Sequence, residues 1–472
     1  MRLMDEIYKS LDVWGKNPVF VERYRDESET IINAETFKNR IDKHILFFRN
    51  LGIIDNVLVP VFIDNCWDFP AIFLALLQTG AKPVLLKKAY RQLELEQIFN
   101  DAKPSVIICD DDFIQQLEFY KMEYLLILRE NGELIARGEV KPRHENLPPG
   151  TVSINYTYRG YGYPLGAIAG EESLLNAAQR FQDYVCFAPG DRILALLPMS
   201  HIFTMISSII LPLLYQITTY ILYSVHPKEI LKTMKSCKIN NLSTVPEILL
   251  LLAKLKNDNE KYPFLQTLIS GGSYLSKDNH QYIAKRFKTE VLNGYGLTEI
   301  APVTGNIRNQ EKFGSIGKIC KGLSCRISKS ADSQNGEFLI KIDKSFLGYL
   351  NKPAETAEAL VGGWFKTGDK ARLEDGYVMF EGEMKQTRKV NGQIVDFKEV
   401  ETALLRTNMV TKATVRGETN HISADVTLSE NKAEDDREIL RELRISLKDI
   451  IASYKIPRKI NIMRGEKWQQ ES

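Results

Sequence analysis

From residue 36 to residue 293, short apolar runs of strand length alternate with segments of helical periodicity, and this alternation limits the chain to a small set of folds. Phe37, Ile41, Ile45, Phe48 and Leu51 recur at helical spacing and stop at Gly52. Val57–Ile63 is a buried-strand run, residues 67–78 read as an apolar helix ending at Gly80, and residues 83–86 form a second short strand. A helix over 93–101 and a strand over 105–109 follow. The rhythm resumes at 192–197 and runs through 242–255, 267–269 and 291–293. Strands separated by helices build a parallel sheet with helices on its faces. After about residue 313 the grain changes to short β segments between glycine turns, near 325–327, 337–342 and 377–380. From Lys398 onward it is mixed again, with helices expected over 399–405 and 435–453 and strands near 412–416 and 421–427. The expected organisation is α/β. A large N-terminal unit, 1–382, holds two parallel-type α/β subdomains and a β-rich subdomain, and a small α+β C-terminal unit spans 383–472.

The 472 residues are too many for one ordinary core. A 44% hydrophobic and 26% charged composition is that of globular chains, and a net charge of +2 gives no field to hold nucleic acid. The six cysteines are scattered without a CxxC pair, which argues against structural zinc and suits a reducing cytosol. The N-terminal residues lack an apolar stretch long enough for a signal peptide, so a cytoplasmic location is expected. The run from Ile202 to Tyr223 approaches membrane-span length, but Pro212 and Gln216 interrupt it. A buried helix followed by a buried strand is the better reading, with no transmembrane segment.

Four segments carry chemistry. In Asn293–Glu299 (NGYGLTE), glycines allow close backbone approach, the tyrosine offers a stacking face, and Thr298 and Glu299 offer a hydroxyl and a carboxylate to phosphate and Mg²⁺. A strand-to-loop turn with a buried tyrosine is the other reading. In GWFKTGD, Asp369 can accept both hydroxyls of a ribose, or cap its own loop. Gly382–Glu401 is a charged turn leading to Gly392 and a helix start, or a solvated hairpin. In LISGGS, Gly271 and Gly272 suit contact with a planar base, or make a plain turn.

Together, in order and spacing, these segments resemble the adenylate-forming superfamily of acyl- and aryl-CoA synthetases. Tyr295, Gly296, Thr298 and Glu299 match its YGxTE segment, and Gly363–Asp369 its GWxxTGD segment. Gly382–Glu401 aligns without gaps to GRxKxxIKxxGxxVxPxExE. PMSHIF (198–203), GSIGK (314–318), GYLNKPAETAEAL (348–360) and YKIPRKI (454–460) complete the series. The resemblance implies ATP-dependent activation of a fatty or aryl carboxylic acid to an acyl-adenylate, with Mg²⁺, as in fatty acid metabolism. Transfer to the thiol of CoA or of an acyl carrier protein's phosphopantetheine follows, with rotation of the C-terminal domain about Lys385 between the steps. By the same resemblance, Gly271, Gly272, Asn293, Gly294, Tyr295 and Gly296 line the nucleotide and Asp369 holds its ribose. Thr298 contacts phosphate, Glu299 binds Mg²⁺, His201 borders the acyl pocket or thiol tunnel, and Lys389 contacts phosphate or thiol donor. A core histidine capping the next helix is the alternative for His201, and a solvated lysine for Lys389. The acyl pocket is implied around His201, 244–250, 271–274 and 294–297, where no aspartate is present to pair with an amino-acid amine.

Three departures fall on phosphate-handling positions. The family's phosphate loop, approximately YTSGTTGxPKG, is here YTYRGYGYPLG, Tyr156–Gly166. Small hydroxyl residues have become Tyr158 and Tyr161 and the lysine Leu165, while Arg159 offers a cation from another place. The segment's arginine is Glu383, a reversed charge costing on the order of 1–4 kcal/mol beside phosphate. No PxxxxGK segment follows YKIPRKI, and Lys467 is the nearest candidate for its lysine. Losing such a donor costs about 10²–10³ in rate. The alternative implied is a non-adenylating homologue that binds nucleotide, acyl-adenylate or acyl-thioester, or docks a partner enzyme.

Overall fold

The structure is a computed structural model that describes residues 2–223, 226–329, 336–341, 345–418, 421–429 and 435–463. Lys467 lies outside them. Two large sheets dominate. One has nine strands, in the order Lys318–Ile319, Thr304–Gly305, Glu290–Tyr295, Thr267–Ser270, Asn241–Thr244, Arg192–Ala195, Thr218–Leu222, Phe20–Arg23 and Glu29–Ile32. Its central strands pair in parallel and its edges antiparallel. The second has eight, in the order Phe346–Tyr349, Leu165–Gly170, Thr151–Thr157, Lys82–Leu85, Leu58–Phe62, Val106–Asp110, Leu125–Glu130 and Glu133–Arg137. Its middle strands are also parallel. Central strands such as Leu58–Phe62 and Asn241–Thr244 are buried at every residue, because helices cover both faces. A continuous core, including Phe37, Phe69, Phe73, Phe181 and Ile209, fills the space between the sheets.

The apolar run from Ile202 resolves into helical turns over Ile202–Tyr215, with a π turn at Ile206–Ile210, and the buried strand Thr218–Leu222. Among the described residues no helix is long and apolar enough to cross a membrane. A five-stranded antiparallel sheet follows, in which Trp364–Glu374 is central and Asp369 pairs with Glu383 across to Tyr377–Glu383. The chain then forms a hairpin, Thr387–Val390 with Gln393–Asp396, the helix Phe397–Arg406 and the helix Asp436–Ile450. Val410–Gly417, Ile422–Leu428 and Lys459–Ile462 make a three-stranded sheet beside them. These last elements share a core of Val395, Val400, Leu404, Val426 and Leu443, and Leu93 from the helix Gln92–Ala102 inserts into it. We call this part the small lobe.

Lys455 is fully buried between two carboxylates, 2.6 Å from Glu399 and 3.0 Å from Glu94. Glu94 also accepts the backbone N–H of Ala452 at 2.9 Å. Its Nζ lies 4.1 Å from the Tyr158 ring centroid, which adds a cation–π contact. Burial works against the ammonium, but Glu399 and Glu94 outweigh it and hold Lys455 protonated. Lys455→Met is expected to leave two buried carboxylates uncompensated and to cost on the order of 3–5 kcal/mol in denaturant unfolding. Adding Glu399→Gln to that variant is expected to recover part of the loss.

Candidate active site

The site assembles at the carboxyl ends of parallel strands from both large sheets, where backbone leaves the sheets and helices begin. Thr267–Ser270 ends in Gly271–Gly272, Glu290–Tyr295 ends in Gly296–Glu299, and Thr151–Thr157 ends in Tyr158–Gly162. His201 caps the helix at Ile202, its Nδ1 accepting the backbone N–H of Phe203 at 3.3 Å. An inner cavity of about 90 Å³ is lined by His201, Gly271, Gly272, Gly294, Tyr295, Gly296, Thr298, Glu299, Arg159 and Lys389. Of the twelve residues named for nucleotide, phosphate, metal or acyl contact, ten thus converge on one space. Both readings of His201 hold, because it caps the helix and faces the cavity.

The two exceptions lie behind the wall. Asn293 is buried, and its amide nitrogen donates to the Ser315 carbonyl at 2.9 Å, so it ties two loops together. Asp369 reaches the cavity through Tyr295, whose hydroxyl donates to its carboxylate at 2.6 Å. Residues 244–250 do not line the inner cavity either. Leu249 and Leu252 are core residues, Ile248 and Leu250 pack against the same core, and only Glu247 of that stretch faces the larger outer cavity. The aliphatic spacing there is a helix's packing face. Apolar walls of the inner cavity come instead from Phe181, Tyr184, Phe203, Ile206 and Leu297.

Charge is concentrated at one end. Arg159 is buried, its guanidinium 3.3 Å from a Glu299 carboxylate oxygen and stacked 4.8 Å over Phe365. Its second nitrogen donates to the Lys366 carbonyl at 2.6 Å. The Tyr349 hydroxyl donates to the same Glu299 oxygen. Glu299 is therefore already compensated by a cation, and among the described residues no cluster of His, Cys, Asp or Glu could hold a metal ion. A Mg²⁺ at Glu299 would share that carboxylate with Arg159 and take its remaining ligands from phosphate and water. Lys385 donates from its ammonium to the Thr367 carbonyl, and Lys389 stands 5.3 Å from the Tyr295 ring centroid. Burial and the Arg159 charge push Lys385 down to about 8. Burial, then Lys87 and Lys389, push His201 down to about 3, so its imidazole is neutral.

The hairpin is seated on the cavity rather than solvated. Gly392 at its tip donates its N–H to Ser273 Oγ at 2.8 Å, and the Lys87 ammonium donates to Gln393 at 2.6 Å. Gly392 has a φ of +77°, and a Cβ there would sit 2.4 Å from Val245 Cγ1, so only glycine fits. Beyond it opens an outer cavity of about 750 Å³, with Glu247, Ser273, Tyr274, Glu383 and Arg388 among its walls. Glu383 lies across the strand pair from Asp369, and burial raises its carboxyl above the usual range.

Sequence reasoning missed Tyr349, which lies in a segment matched only as a pattern. It also missed Phe181 and Tyr184, which carry the helical spacing of an ordinary core helix. Lys385, the hinge position that the resemblance implies, also has its side chain in the cavity.

Glycine-bracketed strand ends around an aromatic, a threonine and buried cations define a phosphoryl- and nucleotide-handling class of α/β enzyme. The AMP-binding enzyme family model matches residues 14–350. The chain is 24% identical over 445 residues to 4-coumarate–CoA ligase 1 of Arabidopsis thaliana, spanning 86% of this chain and 79% of the relative. Benzoate–CoA ligase of Thauera aromatica is 24% identical over 435 residues, 87% and 82% of the two chains. Among solved structures, the amide bond synthetase McbA from Marinactinospora thermotolerans superposes with a TM-score of 0.83 at 17% identity, covering 98% of this chain and 95% of the other. A double mutant of o-succinylbenzoate CoA synthetase from Bacillus subtilis, bound with its product analogue OSB-NCoA, gives 0.82 at 18% identity and covers 97% and 94%. The chain belongs to the AMP-binding enzyme family, within the adenylate-forming superfamily of acyl-CoA synthetase type, and its enzyme class is that of the acid–thiol ligases.

A phosphate drawn to Arg159 and Lys385 binds best while Lys385 keeps its proton. Protonation is lost as pH rises through about 8. AMP affinity, measured by calorimetry, is therefore expected to fall about fivefold or more between pH 7.5 and 9.5. Lys385→Met is expected to bind more weakly at pH 7.5 and to show no such decline.

Proposed function

We propose that the protein converts a compact apolar acid, aryl or short aliphatic, to its acyl-adenylate and passes the acyl group to a thiol of CoA or of a carrier's phosphopantetheine. One carboxylate oxygen of the acid attacks the α-phosphorus of ATP and pyrophosphate leaves. The thiol sulfur then attacks the acyl carbon, the carbon–oxygen bond to phosphate breaks, and AMP leaves. The observation that carries this reading is the convergence of Tyr295, Thr298, Arg159 and Lys385 on a cavity whose other walls are Phe181, Phe203, Ile206 and Leu297. Base and phosphate would lie at the polar end, with Gly271 and Gly272 beside the base and Thr298 and Arg159 at the phosphate; Asp369 would reach the ribose once the Tyr295 hydroxyl releases its carboxylate. The acyl group would fill the apolar end, where no carboxylate awaits an amine. His201, neutral at any ordinary pH, walls the acyl site; it is too weakly basic to take the thiol's proton, which passes to solvent base.

The seated hairpin supports the thiol-transfer arrangement, with the outer cavity as the approach for the thiol carrier. The small lobe, residues 383–472, would swing about Lys385 to reach the adenylating arrangement. The Arg159–Glu299 pair favours a second reading, in which this protein handles a preformed acyl-adenylate and does not make one.

ATP–pyrophosphate exchange over benzoate, 4-coumarate, hexanoate and palmitate, beside thioester formation from synthetic acyl-adenylates and CoA, tests both. Exchange with the compact acids and not with palmitate is the expected result. Thioester formation without exchange would select the second reading, and neither activity would refute both. Gly392→Ala is expected to cost thioester formation about tenfold or more while sparing exchange, because its Cβ would meet Val245.

A further inference from the structure

The loop Tyr158–Gly162, which the family uses for phosphate, already holds an anion in this structure, and the anion belongs to the protein. Oδ2 of Asp396 accepts the backbone N–H of Gly160 at 2.8 Å and of Gly162 at 3.2 Å. Both glycines have a φ of +88°, a conformation suited to glycine that aims the two amides at one point. The other oxygen, Oδ1, accepts the N–H groups of Lys398 and Glu399 at 3.1 and 3.4 Å, capping the helix Phe397–Arg406. The carboxylate is wholly buried among four backbone donors.

No space remains in that cradle. A Cβ on Gly160 would lie 3.3 Å from the backbone nitrogen of Gln386, and one on Gly162 would lie 3.1 Å from Cβ of Lys398. Nor is the loop unanchored. Tyr158 donates its hydroxyl to Glu399 at 2.6 Å, Tyr161 to Glu358 at 2.7 Å and Tyr163 to Glu355 at 2.6 Å. Tyr158 and Tyr161, which replace the family's small hydroxyl residues, thus tether the loop, and Tyr163 adds a third hold. Arg159, Lys385 and Thr298 meanwhile remain on the cavity wall.

We propose that Asp396 determines which nucleotide the docked enzyme accepts: its carboxylate takes the two loop amides that β- and γ-phosphates would use, so the docked state admits a monophosphate ester and excludes ATP and pyrophosphate. This rests on the nucleotide site proposed above. A polyphosphate must displace a like-charged group from the same donors and lift the small lobe, whereas AMP uses groups that Asp396 does not touch.

The test uses the full chain and two variants. Asp396→Ser keeps a hydroxyl for the helix cap, and Asp396→Asn keeps the shape without the charge. Calorimetric titrations with AMP, ATP and pyrophosphate give affinity ratios, and thermal melting verifies that each variant is folded. In the wild type AMP is expected to bind at least about tenfold more tightly than ATP, a ratio that shrinks about tenfold in Asp396→Ser. Small-angle scattering is expected to show the wild type expanding on addition of pyrophosphate and not of AMP. Binding of AMP with an ATP-to-AMP ratio equal in the wild type and both folded variants would overturn the role of Asp396 alone. A wild type that binds neither nucleotide would overturn the nucleotide site and this inference with it.

Discussion

The arrangement of this molecule depends on one buried ammonium. Lys455 satisfies a carboxylate from each side of the lobe boundary, Glu94 on the large part and Glu399 on the small, and all three are inaccessible to solvent. A single cation shared by two acids is an uneven balance. Burial and the Glu94 charge push the Glu399 carboxyl up, while Lys455 draws it down. The uncompensated charge is eased by the Tyr158 hydroxyl, which donates to Glu399. The loop carrying Tyr158, the helix carrying Glu399 and the helix carrying Glu94 are thereby fixed relative to one another. The positions of Gly392 on Ser273 and of Asp396 under Gly160 follow from that fixing. Buried ion pairs are poor sources of net stability and good sources of registration, and registration is what two lobes that must align a cavity require.

The fold was legible where it rested on local periodicity. The run from Val57 to Ile63 reads as a buried strand and is one, because a central parallel strand is apolar on both faces. The expected helix followed by a strand is present, but the division falls at Gln216 alone, since Pro212 sits inside the helical turns. The strands Thr151–Thr157 and Leu165–Gly170 are not evident from local pattern, and the loop match Tyr156–Gly166 overlaps the end of one and the start of the other. The charge run around Gly392 reads by itself as a solvated hairpin. Its burial depends on Val245 and Ser273, more than a hundred residues away in sequence, and nothing local encodes that.

Of the site, the residues tied to motif spacing came together because strand ends impose that spacing. The partners that set their chemistry did not show in the sequence. Arg159 was visible as a cation, but its pairing with Glu299 joins two different sheets. The sequence points to a helix start at Glu399, but the capping role of Asp396 and its hold on the loop amides, which spans more than two hundred residues, come from the structure. Asn293 illustrates the reverse. It sits inside the best-matched segment, and its amide braces a neighbouring loop at the Ser315 carbonyl.

The three phenol–carboxylate tethers have a kinetic and entropic meaning of their own. A phosphate loop that orders only around its ligand takes the ordering cost out of the binding energy. Here the loop is held by groups outside the cavity, Glu399, Glu358 and Glu355, rather than by a ligand's phosphates alone. Triphosphate affinity is then governed by a population, not by loop flexibility: apparent affinity equals the intrinsic one scaled by the fraction of molecules with the cradle vacated. A hundredfold preference for the docked form would weaken apparent ATP binding about a hundredfold with every contact to ATP unchanged. Tuning of such a chain by evolution would therefore act on the lobe boundary before it acted on the pocket.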